Sequence, residues 1–245
     1  MRDLKVDNIK IKDWIRMGQI VAVIPAAGQG RRMKSKLNKQ YLSLLNKPVL
    51  AHTIAAFQDS DLITEIIVVT RGDELDYCKE EVVQKYNFNK VSKVVIGGAT
   101  RQESVYNGLQ AVDSAEYALI HDGARPLLTA DTLRKVINQV KEYQAAGVAV
   151  PVKDTIKRID DEGVVKKTPD RNELWAIQTP QAFNYALVLK AYKEAMADGF
   201  KGTDSSMLVE RLGERVKLAK GSYENLKVTT PEDLVIAEAI LKRRT

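Results

Sequence analysis

The chain has 245 residues, 44% hydrophobic and 29% charged, a balance typical of a globular protein that buries a core. No apolar run approaches the roughly 20 residues that cross a bilayer, and a single cysteine, Cys78, excludes an intrachain disulfide and a cysteine-built metal site. The net charge is +6, yet Arg31 to Lys47 alone holds six basic residues and no acidic one, so the surplus is focused as for a small anion rather than spread along a nucleic acid.

Residues 1–19 form an N-terminal extension in which Ile9, Ile11, Trp14, Ile15 and Met17 stand among charges. It reads as a docked or partly ordered segment without chemistry, and its lack of an apolar signal core leads us to expect a cytoplasmic protein. A single domain, 20–245, follows. Ile20 to Ile24 is a β-branched run closed by Pro25, the signature of a buried strand. The turn Ala26, Ala27, Gly28, Gln29, Gly30 is small enough for backbone amides to approach a ligand, and the basic flank beyond it suits polyphosphate. Lys34 to Asn38 is expected to be a mobile lid.

Pro48 to Gln58 reads as a helix with Leu50, Ile54 and Phe57 on one face, followed by the strand Ile63 to Thr70. A helix holding Cys78 comes next, where the thiol is expected to be inert. The strand Val91 to Ile96 ends in Gly97-Gly98-Ala99-Thr100-Arg101, a helix runs from Gln102 to Val112, and the strand Tyr117 to His121 leads into Asp122-Gly123-Ala124-Arg125-Pro126. Strands alternating with helices predict an α/β fold, a mostly parallel sheet with helices on both faces. In such a sheet ligands bind beyond the carboxyl ends of the strands. There the loops AAGQGRR, GGATRQES and HDGARP bring Gly, Arg and Asp to one rim.

After the helix Ala130 to Gln144 and the strand Val148 to Val152 the alternation stops. Residues 153–173 form an arm whose alternation around Asp160-Asp161-Glu162-Gly163 predicts a β-hairpin. A hairpin cannot cover both of its faces, so a partner subunit is the natural cover. Trp175 to Pro180 returns to the domain. Helices are expected over Tyr185 to Ala197 and Thr203 to Leu212, short strands at Val216 to Ala219 and Lys227-Val228, and a last helix from Pro231.

Several side chains suit phosphate chemistry. Asp122 at a strand end suits a Mg²⁺ that arrives with a triphosphate, since Mg²⁺ takes one or two protein carboxylates and fills its shell with water and phosphate; a turn-capping role is the plainer alternative. Arg101, Arg125 and Arg171 can each bind phosphate bidentately, or form surface salt bridges. Ser104 caps a helix or holds a base, and Lys227 at a strand end reaches the phosphates or snorkels along the surface. His121 and His52 read as structural. A dinucleotide-binding loop needs a third glycine where Met33 stands and an acid some 20 residues on, and both are missing. The P-loop pattern is absent as well. An NAD-dependent oxidoreductase and a non-catalytic nucleic-acid-binding module therefore stay as distant alternatives.

What remains, Ala-Ala-Gly-x-Gly-x-Arg-Met with a lysine shortly after, is similar to the nucleotidyltransferases that join a sugar or polyol phosphate to a nucleoside monophosphate. With KQY, GGATRQESV, HDGARP, KDTIKR, DRNELWAIQTPQ, TDSSMLVE and NLKVTTPEDL in that order, the stretch from Ile20 to Lys242 resembles the 2-C-methyl-D-erythritol 4-phosphate cytidylyltransferase family of the non-mevalonate isoprenoid pathway. The resemblance implies a Rossmann-like nucleotidyltransferase fold and transfer of CMP from CTP to methylerythritol phosphate. A ribitol 5-phosphate cytidylyltransferase is the nearest alternative. It implies that Gly28, Gly30, Gly98, Ala99 and Ser104 line the CTP site, with Pro25, Ala26, Ala27 and Arg101 beside them. Arg32 and Lys39 would stabilise the pentavalent phosphorus, Arg171 and Lys227 would position the acceptor, and Asp122, Arg125, Thr155, Thr179 and Thr203 would surround substrate and Mg²⁺. It also implies a homodimer whose arm completes the partner's site. One departure is Asn38, where the family has proline before the lysine.

Overall fold

Side chains of β1 (Ile20–Pro25) alternate between two apolar cores: Ile20, Ala22 and Ile24 join one, Val21 and Val23 the other. A strand buried on both faces requires helices on both sides of its sheet. The computed structural model describes residues 18–28 and 38–244. Expectations for the first 17 residues, Gly30, Arg32 and the lid through residue 37 lie outside the described residues.

After β1 come a small hairpin, β2 (Ser43–Leu44) and β3 (Lys47–Pro48), then α1 (Val49–Gln58), β4 (Glu65–Thr70) and α2 (Leu75–Tyr77, continued as a π-helix over Cys78–Gln84). Next are β5 (Val91–Ile96), α3 (Arg101–Gln110), β6 (Tyr117–Ile120), α4 (Ala130–Tyr143) and β7 (Ala145–Pro151). The arm carries β8 (Arg158–Ile159) and β9 (Val165–Lys167). It is followed by β10 (Trp175–Asn184), α5 (Tyr185–Ala197), α6 (Ser205–Glu210), β11 (Lys217–Lys220) and α7 (Pro231–Arg244). Seven strands form one sheet in the order β11-β7-β10-β6-β1-β4-β5, parallel except for β10, which runs antiparallel to both neighbours.

One face is covered by α1, α2 and α4 through Leu50, Phe57, Val82, Val136 and Ile137, the other by α3, α5 and α6 through Val105, Leu109, Tyr192 and Leu208. Helix α3 lies close because Gly108 has no side chain: a Cβ there would meet Val23 Cγ1 at 2.5 Å and Val69 Cγ2 at 2.7 Å. Helix α7 closes a third cluster with Leu44, Val49, Leu127 and Val228. No helix among the described residues is long and apolar enough to cross a membrane.

The alternation, the mostly parallel sheet and the hairpin arm match expectation. The arm's turn is fixed by Gly163 at φ 83° and by Asp160, whose Oδ1 accepts from the Glu162 and Val164 amides at 3.1 and 2.8 Å. Other boundaries moved. The β2–β3 turn puts Leu45 and Asn46 at φ 50° and 62°, and a leucine there carries no turn signal. Helix α4 ends at Tyr143 because Gln144 turns left-handed at φ 65°, which frees Ala145, Ala146 and Gly147 to pair with Phe183, Ala182 and Gln181. The segment after Trp175 runs as strand to Asn184, well past Pro180, and α6 is shorter at both ends than Thr203 to Leu212. Lys227-Val228 is not a strand; the Val228 amide makes a lone bond to the Ala124 carbonyl at 2.8 Å.

Candidate active site

Strands β1, β4, β5 and β6 end at one rim, around a cavity of about 280 Å³. From the β1 end it is lined by Pro25, Ala26, Ala27 and Gly28, and from the following segment by Lys39 and Gln40. The β5 end gives Gly98, Ala99, Thr100, Arg101 and Ser104, the β6 end Asp122, Gly123 and Ala124, and the segment before α7 gives Lys227. A Cβ on Gly28 would meet nothing within 4 Å among the described residues, and the space beside it belongs to the cavity.

The walls are held by backbone bonds between neighbouring loops. Ala26 N–H donates to the Val69 carbonyl at 2.6 Å, Gly97 N–H to Thr70 at 2.8 Å, and Gly123 N–H to Pro25 at 3.0 Å. Thr100 caps α3 by accepting from the Glu103 amide at 3.1 Å, which leaves Ser104 another task. Its hydroxyl donates to the Thr100 carbonyl at 2.8 Å and accepts from Gly98 N–H at 3.2 Å, fixing the glycine loop. The buried Gln40 amide donates to the Ala26 carbonyl, tying the turn that carries Lys39 to the β1 loop.

Asp122 is the electrostatic centre. Its Oδ1 accepts from Arg101 Nε at 3.0 Å, its Oδ2 accepts from Lys227 Nζ at 2.7 Å, and Arg125 Nε lies 3.9 Å from Oδ2. Burial alone would raise this carboxyl, but Arg101, Lys227 and Arg125 together outweigh it and hold it well below the usual carboxylate range. Three cations on one carboxylate leave positive charge in surplus, as a site for a phosphorylated ligand needs. Arg125 stands behind this wall: Nη1 donates to the Asn225 carbonyl at 2.7 Å, and burial pulls its guanidinium down from its ordinary value. His121 is fully buried, and desolvation pushes its imidazole down to about 4, so it is neutral beside the cluster.

The expected site residues that the structure describes divide into three groups. Pro25, Ala26, Ala27, Gly28, Lys39, Gly98, Ala99, Arg101, Ser104, Asp122 and Lys227 share the cavity. Arg125 and Thr179 stand behind Asp122, where the Thr179 hydroxyl accepts from the Asp122 amide at 3.1 Å. The rest are elsewhere: Arg171 lines a second, open cleft with Lys153, Asn172 and Trp175, and Thr155 is exposed on the arm. Thr203 does not line the cavity, and its hydroxyl points to Met207 Sδ at 3.7 Å. The inert thiol holds, since burial pushes Cys78 up to about 12.

Three contributors were not among the expected site residues, although Gln40 stands in KQY and Asn225 opens NLKVTTPEDL. Gln40 and Asn225 act through backbone carbonyls that only the fold brings near. Arg71, in the RGDE loop after β4, pairs with Asp73 and also lines the cavity.

Comparison with known proteins follows the same outline. Residues 20–243 match the family described as 2-C-methyl-D-erythritol 4-phosphate cytidylyltransferase. A protein of that name from Caldanaerobacter subterraneus subsp. tengcongensis is 52% identical over 91% of this chain and 99% of its own length. Another, from Desulforamulus reducens, is 51% identical over 93% and 98%. Among solved structures, the 4-diphosphocytidyl-2C-methyl-D-erythritol synthase of Anaerococcus prevotii superposes with a TM-score of 0.81 at 38% identity, covering 92% of this chain and 99% of that one. The cytidylyltransferase of Thermus thermophilus gives 0.75 at 31%, covering 91% and 99%.

Proposed function

We propose a division of labour among residues for this chain, which belongs to the 2-C-methyl-D-erythritol 4-phosphate cytidylyltransferase family and transfers CMP from CTP to 2-C-methyl-D-erythritol 4-phosphate. An oxygen of the acceptor phosphate attacks the α-phosphorus of CTP in line. The new P–O bond forms as the bond to the bridging oxygen of the β-phosphate breaks, and pyrophosphate leaves with the electron pair. A phosphate monoester is already ionised near neutral pH, so the step needs no general base, and positioning with charge neutralisation supplies the rate.

In this reading the turn Pro25 to Gly30, Gly98, Ala99, Arg101 and Ser104 bind the nucleotide. Lys39 and Arg32 neutralise the pentavalent phosphorus, and Lys227 positions the acceptor phosphate. Asp122 orients Arg101 and Lys227 until a phosphate takes them up, with Arg125 and Thr179 behind it and Thr203 at the acceptor's edge. The observation that carries this assignment is the convergence of Lys39, Arg101 and Lys227 on one cavity.

Mg²⁺ is the expected cofactor. Asp122 is the only carboxylate lining the cavity among the described residues, its oxygens are engaged by Arg101 and Lys227, and those residues hold no cluster of three metal-ligating side chains. Such a site suits an ion held mainly by phosphate oxygens and water, with Asp122 as at most one further ligand. When bound there, the ion would supply charge neutralisation for the leaving pyrophosphate.

The second substrate half comes, in this proposal, from a homodimer. Arg171 and Thr155 lie outside the cavity of their own chain, and the arm's exposed Ile159 and Val165 want cover, so the arm is assigned to the partner's acceptor site. The substrates are two water-soluble phosphates, and we assign the enzyme to the cytoplasm. Incubating the purified protein with CTP, Mg²⁺ and either methylerythritol phosphate or ribitol 5-phosphate, and following pyrophosphate, tests the assignment. Turnover with the first is expected; turnover with ribitol 5-phosphate alone would replace it.

A further inference from the structure

We propose that His121 and Thr179 are positioning residues that set Asp122 and the Arg125 turn through a hydrogen-bond chain with one fixed direction. Three contacts form it. The Asp122 amide lies 3.1 Å from Thr179 Oγ1, Thr179 Oγ1 lies 3.0 Å from His121 Nδ1, and His121 Nε2 lies 3.1 Å from the Arg125 carbonyl oxygen.

Both ends of the chain are chemically unambiguous. A backbone amide can only donate, so Thr179 Oγ1 accepts from Asp122. A carbonyl can only accept, so His121 Nε2 carries the proton and donates to Arg125. A neutral imidazole has one N–H, which leaves Nδ1 as a lone pair facing Thr179. The Thr179 hydroxyl must therefore donate to it, and no rotor or tautomer remains free. The ring has no room to change partner: it is fully buried against Phe57, with centroids 5.1 Å apart, and its own amide is held by the Val23 carbonyl at 3.0 Å.

A satisfied core histidine would ordinarily be the whole account. Here both ends of the chain are site backbone. One end fixes the residue whose carboxylate gathers Arg101 and Lys227, and the other fixes the turn that carries Arg125. Thr179 is itself held from below, its carbonyl accepting from Asn225 Nδ2 at 2.9 Å, and the Asn225 carbonyl accepts from Arg125 Nη1 at 2.7 Å. The loop therefore closes on Arg125 from two directions. Neither His121 nor Thr179 lines the cavity, so any effect on the reaction passes through Asp122 and Arg125.

This inference rests on the CMP-transfer reading for its kinetic part. Thr179→Val keeps the shape and removes the hydroxyl; it is expected to lower kcat about 10- to 30-fold, the scale of a small misplacement, with both KM values within about threefold. Thr179→Ser, which keeps the hydroxyl, should restore most of kcat. His121→Asn keeps an acceptor near Nδ1, and combining it with Thr179→Val should cost little beyond the worse single change, because both cut one chain. Nitrogen NMR of the wild-type protein supplies a readout independent of activity: an Nε2–H tautomer is expected, with Nδ1 unprotonated. An Nδ1–H tautomer would overturn the chain, as would equal kcat in Thr179→Val and wild type. If the wild-type protein failed to turn over CTP, the functional reading would fall while the tautomer still judged the chain.

Discussion

The cavity around Asp122 and the projecting arm contrast in how they are held. At Asp122 a single chain gathers Arg101, Arg125 and Lys227 on a carboxylate only 7% exposed as a residue, and backs it with buried Thr179, His121 and Asn225. On the arm Ile156, Ile159, Val164 and Val165 are 40–59% exposed, and two short strands are the only ladder. A two-stranded hairpin with its apolar side chains in water is marginal by itself. Lys39, Arg101, Asp122 and Lys227 thus meet at one cavity within one chain, whereas Arg171, expected over the acceptor, lines a separate cleft.

The largest effects are expected where the two halves must meet. Lys39→Met and Arg171→Ala should each lower kcat/KM for pyrophosphate release by about 10²- to 10³-fold, the cost of losing one charge-stabilising group. Co-refolding the two variants in equal amounts sharpens the contrast. If the arm serves the partner, half the dimers are mixed and each has one intact site, so about a quarter of wild-type activity should return. No recovery would mean that the arm acts on its own chain or on none.

Asp122→Ala strikes the self-contained half. Removing the shared carboxylate leaves converging cations unpaired and should cost about 3 kcal/mol in urea unfolding. Pyrophosphate should stabilise this variant more than the wild type, because an anion then replaces the missing charge. The arm change Ile159→Asp should leave chain stability nearly unaltered and weaken dimerisation instead. Equal urea midpoints for Asp122→Ala and wild type would erase the distinction between the regions.

Sequence reading reached these regions unequally, for physical reasons. Strand β1 was legible because β-branched residues ran up to a proline, and its turn because glycines stood beside an acid-free basic flank. Asp122 was legible as a strand-end carboxylate before glycine. Arg171 and Thr155 were legible as motif members, but no local pattern shows that Arg171 lines a separate cleft or that Thr155 stands exposed on the arm. The bonds that hold Asp122 reach Arg101, Thr179 and Lys227, 21, 57 and 105 residues away, which no periodicity encodes. The antiparallel course of β10 was hidden as well, because an apolar run carries no direction. The π-helix at Cys78 has an ordinary helical pattern.

A smaller effect concerns pH. The ordinary histidine value is 6.5 and the folded value of His121 is about 4, so between these the unfolded chain takes up a proton that the folded chain refuses. Stability from this residue is complete above the unfolded value and is lost as pH falls toward the folded one, a change of about 3 kcal/mol at most, less where other groups compensate. The charged groups facing the ring are Asp122 and Arg125. His121→Gln should flatten the difference curve between pH 6.5 and 4 in paired thermal melts. An unchanged slope would mean that water reaches the ring and that this half of the site is not sealed as its burial indicates.

The smallest effect falls on Arg71, which belongs to neither class. It lines the cavity within its own chain, yet its side chain is 34% exposed and its partner Asp73 64% exposed. Nε and Nη2 donate to the two oxygens of Asp73 at 2.8 and 2.7 Å, a fork that holds the guanidinium still at the rim and leaves Nη1 without a partner among the described residues. A charge so exposed is screened, and it should assist binding of the nucleotide more than the chemical step. Arg71→Ala is therefore expected to raise KM for CTP about threefold with kcat unchanged, a difference that shrinks with added salt. Asp73→Asn, which loosens the fork but keeps the cation, should give a smaller rise in the same direction. A fall in kcat instead would move Arg71 into the self-contained half, because only a group engaged in the transition state lowers turnover without weakening the ground-state complex.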